Sequence, residues 1–350
     1  VEALSEVRSL TLTCCNEVED ISVLARVSTL GLSACHVSDV SALGGVHTLD
    51  LSGNKDITDV SALRRVHTLN LSGNHGLSNV SVLGQVHTLD LSRSDIEDVS
   101  GLGGVHNLSL NDCNVLTDVS ALGSVHTLSL CCCLLLSDVR ALGGVHTLRL
   151  NCCSSLFDVS ALGGVHTLSL SFCDIEDVTA LGGVHTLTLF GCSRVSDVSS
   201  LGHVHTLTLS GCHKVSDVGA LGTVHTLILD GCSGVTDVSG LGSVHTLDLS
   251  SNTRVTDVCA LGSVHTLNLS YCRYGLDVSC LGGVKNLTLK GYRPDLPDLS
   301  VFANVFALDI SSCVTANRDL TCLEDVCCLT IFDLKFRHTM LDPLVPTCDY

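Results

Sequence analysis

The 350-residue chain contains no tryptophan, one methionine and four prolines, and only 3% of its residues are aromatic. Charged residues make up 15%, and 18 lysines and arginines stand against 36 acidic residues, for a net charge of −18. Nucleic acid is bound through clustered basic groups, so we expect neither nucleic acid nor an anionic membrane as a partner. No apolar run reaches the roughly 18 to 20 residues that a membrane-spanning helix needs.

Common catalytic motifs are also missing. The sequence has no G-x-S-x-G, H-E-x-x-H, G-x-x-x-x-G-K or G-x-G-x-x-G pattern. The usual sequence signatures of hydrolases, metalloproteases and nucleotide-binding proteins are therefore absent. No two of the 21 cysteines are spaced as C-x-x-C, so the commonest zinc and thioredoxin motifs are absent. We therefore expect no enzyme, no cofactor and no metal.

The cysteines and the first residues bear on the cellular compartment. The number of cysteines is odd, which does not fit a complete disulfide framework. The opening residues, VEALSEV, show no basic region followed by an apolar one, as a signal peptide would. Reduced thiols fit this pattern better, so we expect a cytoplasmic or nuclear protein.

One motif recurs along nearly the whole chain. Val-His-Thr-Leu or a close variant returns about every 20 residues, with its valine at positions 7, 27, 46, 66, 86, 105, 125, 145, 165, 184, 204, 224, 244, 264, 284, 305 and 326. Numbered from that valine, the unit VHTLTLSGCHKVSDVGALGT (204–223) has apolar residues at positions 1, 4, 6, 12, 15 and 18, and cysteine at 9. Positions 4 and 6 point to one face of a short strand. The pattern resembles the leucine-rich repeat, LxxLxLxx(N/C)xLxxLxxLxx.

This resemblance implies a β-solenoid, the horseshoe of the leucine-rich repeats, with a parallel concave sheet and short 3-10 or irregular turns on the convex side. The second half of the unit, D-V-S-x-L, is similar to internalin repeats, whereas cysteine at position 9 resembles the repeats of F-box and ribonuclease-inhibitor proteins. Aspartate before a short apolar turn predicts a cap, because its carboxylate accepts backbone N–H groups. About six residues cannot hold an α-helix and return to the next strand, so a single 3-10 turn is expected.

The pattern divides the chain into three parts. Residues 1–6 match the end of a repeat, residues 7–334 form about seventeen turns, and residues 335–350, where the pattern has stopped, are expected to cap the last turn. Because the chain begins inside a repeat, we expect further sequence upstream or a contact at that end, which would otherwise expose Val1, Leu4 and Val7.

Regular columns of one residue type invite functional interpretations. Histidine at position 2 could bind metal or sense pH, since neighbouring strands lie about 4.8 Å apart. Position 2 is also a strand edge where any polar residue serves, and Arg8, Ser28 and Lys285 in outer units favour that interpretation. The histidine column comprises His47, His67, His87, His106, His126, His146, His166, His185, His205, His225, His245 and His265.

Three other columns have competing interpretations. Regular aspartates could bind calcium, although capping explains them. Serine and threonine at positions 3 and 7 could template an ice or mineral surface, although position 5 varies from unit to unit. Cys131, Cys132 and Cys152 could form a soft-metal or redox patch, although small side chains are simply tolerated there.

The pattern is broken between Val125 and Phe190 by side chains that the fold does not bury. Cysteine, leucine and phenylalanine stand at positions 7, 8, 10 and 11, where other units have serine, glycine or polar loop residues. One arginine, the single basic residue at position 5, lies between these turns. Exposed apolar side chains with arginine are typical of protein interfaces. The predicted partner-binding residues are Cys131, Cys132, Leu134, Leu135, Arg149, Phe172 and Phe190.

The resemblance implies a non-catalytic scaffold or adaptor that binds another protein. The alternative is a structural or surface-templating array built on the Ser/Thr lattice or the histidine column. A partner site should interrupt the repeat locally, whereas a templating lattice should keep it uniform.

Overall fold

The structure is a computed structural model that describes residues 7–15, 21–77, 79–273, 275–291, 298–313 and 320–331. The predicted first partial repeat (1–6) and capping tail (335–350) lie outside these residues. Within the described ranges, seventeen short strands alternate with sixteen 3-10 turns, and there is no α-helix. The predicted short convex turns are therefore confirmed.

The strands follow one another at the repeat spacing. They are β1 Ser9–Thr13, β2 Thr29–Ser33, β3 Thr48–Asp50, β4 Thr68–Asn70, β5 Thr88–Asp90, β6 Asn107–Ser109, β7 Thr127–Ser129, β8 Thr147–Arg149, β9 Thr167–Ser169, β10 Thr186–Thr188, β11 Thr206–Thr208, β12 Thr226–Ile228, β13 Thr246–Asp248, β14 Thr266–Asn268, β15 Asn286–Thr288, β16 Ala307–Asp309 and β17 Cys328–Thr330. The 3-10 turns are Ser22–Arg26, Ser41–Gly45, Ser61–Arg65, Ser81–Leu83, Leu102–Gly104, Ser120–Leu122, Arg140–Gly144, Ser160–Gly164, Thr179–Gly183, Ser199–His203, Gly219–Thr223, Ser239–Leu241, Cys259–Leu261, Ser279–Leu281, Leu299–Phe302 and Thr321–Leu323.

Each strand pairs in parallel with the next strand along the chain, so the seventeen strands form one open sheet. The register places equivalent repeat positions side by side, as with Leu128 of β7 and Leu148 of β8. Because the register is the same at every step, each repeat position becomes a column that runs along the solenoid.

The apolar positions predicted from the repeat form the core. In the unit that begins at Val204, every apolar position is at most 1% exposed, as are its counterparts along most of the described chain. These buried side chains make one continuous cluster from repeat to repeat. A single repeat has no second layer to cover its leucines, so the cluster exists only because neighbouring repeats stack.

Position 9 is buried and bonds the backbone of the preceding repeat. The Cys133 thiol donates to the Leu110 carbonyl at 3.1 Å. Asn54 does more, because its amide nitrogen donates to the carbonyls of Leu32 (2.7 Å) and Leu51 (2.9 Å). Its amide oxygen also accepts two backbone N–H groups of the preceding repeat. Asparagine therefore makes several hydrogen bonds with the backbone at this bend, as Asn54 does, whereas cysteine makes one with the preceding repeat, as Cys133 does.

The aspartate column caps the 3-10 turns, as predicted. Asp118 Oδ1 accepts the backbone N–H of Ser120 at 2.9 Å, and this residue is the first of its turn. That hydrogen bond lowers the pKa of Asp118, because it stabilises the ionised carboxylate. The same contact, at 2.8 to 3.0 Å, recurs along the column from Asp39 to Asp298.

Candidate functional site

The bend after each strand sets the direction of the predicted binding residues. At position 8 the backbone is left-handed, with φ of 61° at Cys132, 61° at Cys152 and 58° at Phe172. Glycine occupies this position in several other repeats, for example Gly191 with φ of 70°. A left-handed residue with a side chain costs about 1–2 kcal/mol, so these repeats place cysteine and phenylalanine where glycine would be less strained.

Five of these side chains run along positions 7 and 8 of four consecutive repeats. We call them the apolar strip: Cys131, Cys132, Cys152, Phe172 and Phe190. Register makes the strip continuous, because the Cys152 N–H donates to the Ser171 carbonyl and the Phe172 N–H donates to the Phe190 carbonyl, both at 2.8 Å. The strip therefore crosses several repeats at the end of the sheet where the strands turn.

The two phenylalanines of the strip form an aromatic pair at the surface. The ring centroids of Phe172 and Phe190 are 4.9 Å apart, with an edge-to-face angle of 85°. Phe172 is 57% exposed and Phe190 is 41% exposed. Edge-to-face pairs are favourable by about 0.5–1.5 kcal/mol beyond their buried area, so each ring holds the other in place while both present apolar surface to solvent.

The cysteines of the strip are half-buried. Burial, followed by the neighbouring Cys152 thiol, raises the pKa of the Cys132 thiol to about 11. A thiol with a raised pKa is a poor nucleophile at neutral pH, because the thiolate is the reactive form. In the described parts of the chain, no group of three or more His, Cys, Asp or Glu side chains converges on a possible metal position. The strip at Cys132 is therefore a weakly polar surface.

Leu134 and Leu135 follow the strip residues Cys131 and Cys132 along the chain. They are 46% and 55% exposed, in the loop that follows the bend, and the fully buried Cys133 separates them from Cys132. The Leu134 carbonyl accepts the Ser155 hydroxyl at 2.6 Å, which ties this loop to the next repeat. Along the chain, the predicted binding residues therefore fall on both sides of the buried Cys133.

Arg149 lies on the polar face of the sheet at the end of β8. Its register neighbours are Ser129 and Ser169, so two small side chains flank it, and it is exposed. It makes no ion pair with any residue of the described ranges. The guanidinium is therefore available in the repeat between those of Cys132 and Phe172.

Exposed aromatic residues that the sequence analysis did not include in the predicted set are Phe157 and Tyr271, with Phe306 at the histidine position. Phe157, 59% exposed, occupies position 13, where other repeats have serine or threonine before the capping aspartate. Tyr271, 58% exposed, occupies the left-handed position 8, like Phe172. The signal was present for Phe157 and Tyr271, since each replaces a small residue of the repeat pattern.

The histidine column is stacked along the edge of the sheet. Consecutive rings from His47 to His265 have centroids 4.5–4.7 Å apart. Where threonine follows the histidine, its Oγ1 lies 3.2–3.3 Å from the ring Nδ1, as in His126 and Thr127. The exception is His106, which Asn107 follows, and its ring is tilted by 31° against His87. The threonine contact therefore sets the orientation of the rings.

The comparisons with known proteins agree with this architecture. The Leucine Rich repeat family model matches residues 46–63. An internalin, InlF of Listeria monocytogenes, aligns with 91% of this chain and 89% of its own, at 19% identity and a TM-score of 0.55. The chain has the leucine-rich-repeat fold.

Two further solved leucine-rich-repeat structures have a similar shape. A protein of Leptospira interrogans described as an LRR protein aligns over 93% of this chain and 96% of its own, at 18% identity and a TM-score of 0.62. TLR13, solved in a complex with ssRNA13, aligns over 95% of this chain and 62% of its own, at 18% identity and a TM-score of 0.64. At these identities the likeness is one of fold. No curated protein matches the chain by sequence.

Proposed function

We propose that this leucine-rich-repeat chain is a non-catalytic scaffold or adaptor that binds another protein through the apolar strip. The observation that carries the proposal is the exposed Phe172–Phe190 pair, at positions where glycine and serine are the commonest residues of the other repeats. Large apolar side chains that the fold leaves exposed commonly mark an interface. Leucine-rich-repeat proteins typically bind other proteins, and this supports the same proposal.

Arg149 and the loop leucines extend the proposed surface. Arginine and aromatic residues are the side chains that most often carry binding energy at protein interfaces. Arg149 supplies a charge without a carboxylate partner in the described ranges, in a chain whose net charge is −18. An acidic group on the partner that reaches Arg149 beside the strip would make a charge-assisted hydrogen bond.

The described residues support a binding role over a catalytic one. The histidines form one column at the sheet edge, where Nδ1 faces threonine in all but His106, whereas the aspartates cap turns on the opposite side of each repeat. The clefts between capping turns are lined mainly by serine, threonine and aspartate, with Lys214 or Arg140 in two of them. No described helix is long and apolar enough to cross a membrane.

A surface-templating array is less well supported by the same face. A lattice needs uniform rows, and the rows at positions 5 and 7 are interrupted by Arg149, Phe190 and Lys290. Arg149 and Phe190 lie in the four repeats of the apolar strip, which is the pattern expected of a partner site, whereas Lys290 lies five repeats further along.

We also propose that the protein works in the cytoplasm or nucleus. The buried position-9 thiols, such as those of Cys133 and Cys212, donate to backbone carbonyls at 3.0–3.1 Å. A disulfide would remove these bonds, so the fold favours reduced cysteines and a reducing compartment.

Site-specific photo-crosslinking tests the binding proposal. A benzophenone side chain is introduced at residue 172 and, as a matched control, at residue 271, where Tyr271 has the same repeat position and nearly the same exposure. Incubation with an extract of the source organism, followed by mass spectrometry, should give a defined adduct at 172 that the 271 protein lacks. The same adducts at both sites, or none at 172, would contradict a partner at the strip.

A further inference from the structure

Two cysteines lie in neighbouring turns on the convex side of the solenoid. We call the residue two places before the buried apolar residue of a turn its first turn position, and the residue directly before it the second turn position. Cys259 is the first turn position before Leu261, and Cys280 is the second turn position before Leu281 in the next repeat. Serine and alanine are the commonest residues at these two positions in the other turns. Both cysteines therefore depart from the repeat.

A side chain at the second turn position lies beside the first turn position of the preceding repeat. Gly240 and Gly219 show this, because a Cβ atom on Gly240 would be 3.0 Å from the Cα atom of Gly219. A Cβ atom on Gly101 would likewise touch the Cα and Cβ atoms of Ser81. A disulfide needs Cβ atoms about 3.5–4.5 Å apart. The fold therefore brings together the side chains of two cysteines at these positions.

The thiols of Cys259 and Cys280 are hydrogen-bonded to each other. Burial, followed by this hydrogen bond, raises the pKa of the Cys280 thiol to about 12. Cys259 is exposed, whereas Cys280 is half-buried. The Cys259 N–H donates to Oδ1 of the capping Asp257 at 2.9 Å, which fixes the start of the turn. A reagent in solution therefore meets Cys259 first, and Cys280 lies where it can react with its neighbour.

Another pair of touching thiols does not have this geometry. Cys132 and Cys152 are in contact, but they occupy the same repeat position with the same left-handed φ of 61°, so their side chains point the same way. Disulfide geometry is unfavourable when the Cβ vectors do not converge. Cys259 and Cys280 are staggered by one residue, and in the described ranges they are the one cysteine pair at the first and second turn positions of neighbouring repeats.

We propose that Cys259 and Cys280 are a redox modification site, at which a small-molecule disulfide makes a reversible bond between neighbouring repeats. The Cys259 thiolate attacks one sulfur of the small disulfide, forms a mixed disulfide and releases one thiolate. The Cys280 thiol loses its proton to solvent and attacks the Cys259 sulfur, and a second thiolate leaves. Two electrons thus pass from the two cysteines to the small disulfide, which is reduced to two thiols.

This bond lies apart from the apolar strip. The strip ends at Phe190, whereas the two cysteines lie on convex turns of the repeats that begin at Val244 and Val264. In a solenoid each repeat is held by its contacts with its neighbours, so a covalent bond between two turns keeps these repeats together. In the reducing compartment proposed above the two thiols are free, and oxidation makes the bond.

Disulfide mapping of the native full chain tests the proposal. The protein is incubated at pH 8 with bis(2-hydroxyethyl) disulfide, which is uncharged and is therefore not repelled by the capping Asp257 and Asp277. Free thiols are blocked with N-ethylmaleimide before digestion, and the peptides are identified by mass spectrometry. The wild-type chain should give the peptide that joins Cys259 to Cys280, and excess 2-mercaptoethanol should remove it.

Single substitutions separate the two steps. Cys280→Ser should retain the hydroxyethyl group on Cys259, because no neighbouring thiol displaces it, whereas Cys259→Ser should leave Cys280 unmodified. Cys322→Ser is the matched control, since Cys322 is also a second turn position but Ser300 is the first turn position of the preceding repeat. This variant should form the same bond as the wild-type chain.

The proposal is wrong if the mixed disulfide on Cys259 persists in the wild-type chain, or if Cys259 bonds to a different cysteine. It is also wrong if the bond is absent under conditions that modify the exposed Cys14. An unchanged circular dichroism spectrum in all four proteins confirms that the comparison is between folded chains.

Discussion

The ring of Phe172 lies against the backbone of Gly191, and a Cβ atom on Gly191 would be 2.7 Å from two carbons of that ring. Gly191 also has a left-handed φ of 70°. The glycine therefore serves two purposes, because it adopts the bend and leaves room for the aromatic residue of the preceding repeat. Tyr271 lies against Gly291 in the same way, 2.5 Å from such a Cβ position.

Gly191→Ala should destabilise the protein more than Gly231→Ala. Both glycines have a positive φ, of 70° and 66°, so each substitution carries the strain of a left-handed alanine, about 1–2 kcal/mol. Gly231 has nothing within 4 Å of its Cβ position, whereas at Gly191 the Phe172 ring must move and lose its partner. We expect an additional loss of about 1 kcal/mol, measured by chemical denaturation.

A double-mutant cycle separates the two contributions. The extra cost of Gly191→Ala should disappear when Phe172→Ala is already present. If the two glycine variants are equally stable with Phe172 in place, the ring does not rest on Gly191.

The sequence predicted the regular parts of this molecule well. Leu207, Leu209 and Leu221 are buried because the repeat spacing alone decides which face each side chain takes, and the parallel sheet and 3-10 turns follow from the length of the unit. The contact of Phe172 with Gly191 could not be predicted, because it depends on the left-handed backbone at position 8.

Asn54→Cys should cost more stability than Asn252→Cys. Both amide nitrogens donate to two carbonyls at 2.7–2.9 Å. The Asn54 oxygen also accepts the N–H groups of Cys35 and Val37 at 2.9 and 3.0 Å, whereas the Asn252 oxygen is buried without a partner in the described ranges. Each buried hydrogen bond contributes about 1 kcal/mol.

We therefore expect a loss of about 2 kcal/mol or more for Asn54→Cys and less than about 1 kcal/mol for Asn252→Cys, since cysteine removes an unsatisfied oxygen at the second site. Urea unfolding of both variants measures the difference. A larger loss at Asn252 would show that the amide oxygens do not distinguish the two bends.

The melting temperature should fall between pH 7.5 and pH 5. Partial burial and the neighbouring imidazoles lower the pKa of His166 and His225 in the folded state, while the unfolded value is about 6.5. A lowered histidine pKa means that the folded state resists protonation, so stability is lost as the pH falls through 6.5 towards the folded value. A variant with every second histidine of the column replaced by glutamine, at His67, His106, His146, His185, His225 and His265, should show a smaller fall.

The capping aspartates act in a lower pH range. Their pKa is lowered by the backbone N–H bond, as at Asp197 with Ser199, so their contribution to the stability of the fold is present above about pH 3.9 and is lost below it.

The histidine prediction has its own contradicting result. A melting temperature that is flat from pH 7.5 to pH 5 would show that stacking of the imidazoles does not affect their protonation.

The position-9 cysteines should resist alkylation in the folded protein. Burial raises the pKa of Cys133, Cys173 and Cys212 to about 12. At pH 8 only about one in ten thousand of such thiols is ionised. The exposed Cys14 and Cys259 should react first. Pulsed iodoacetamide labelling with mass spectrometry gives the order, and rapid labelling of Cys212 without unfolding would contradict it.

The affinity of the crosslinked partner for Phe172→Ala and Tyr271→Ala chains tests the binding surface most directly. Both residues are aromatic, occupy position 8 and are 57% and 58% exposed, so the two substitutions remove similar side chains from similar backbone. An aromatic residue at the centre of an interface is worth about 2 kcal/mol or more. Calorimetry should therefore show at least a tenfold loss of affinity for Phe172→Ala and little change for Tyr271→Ala. Wild-type affinity in the folded Phe172→Ala chain, or an equal loss in both variants, would contradict a binding site at the apolar strip.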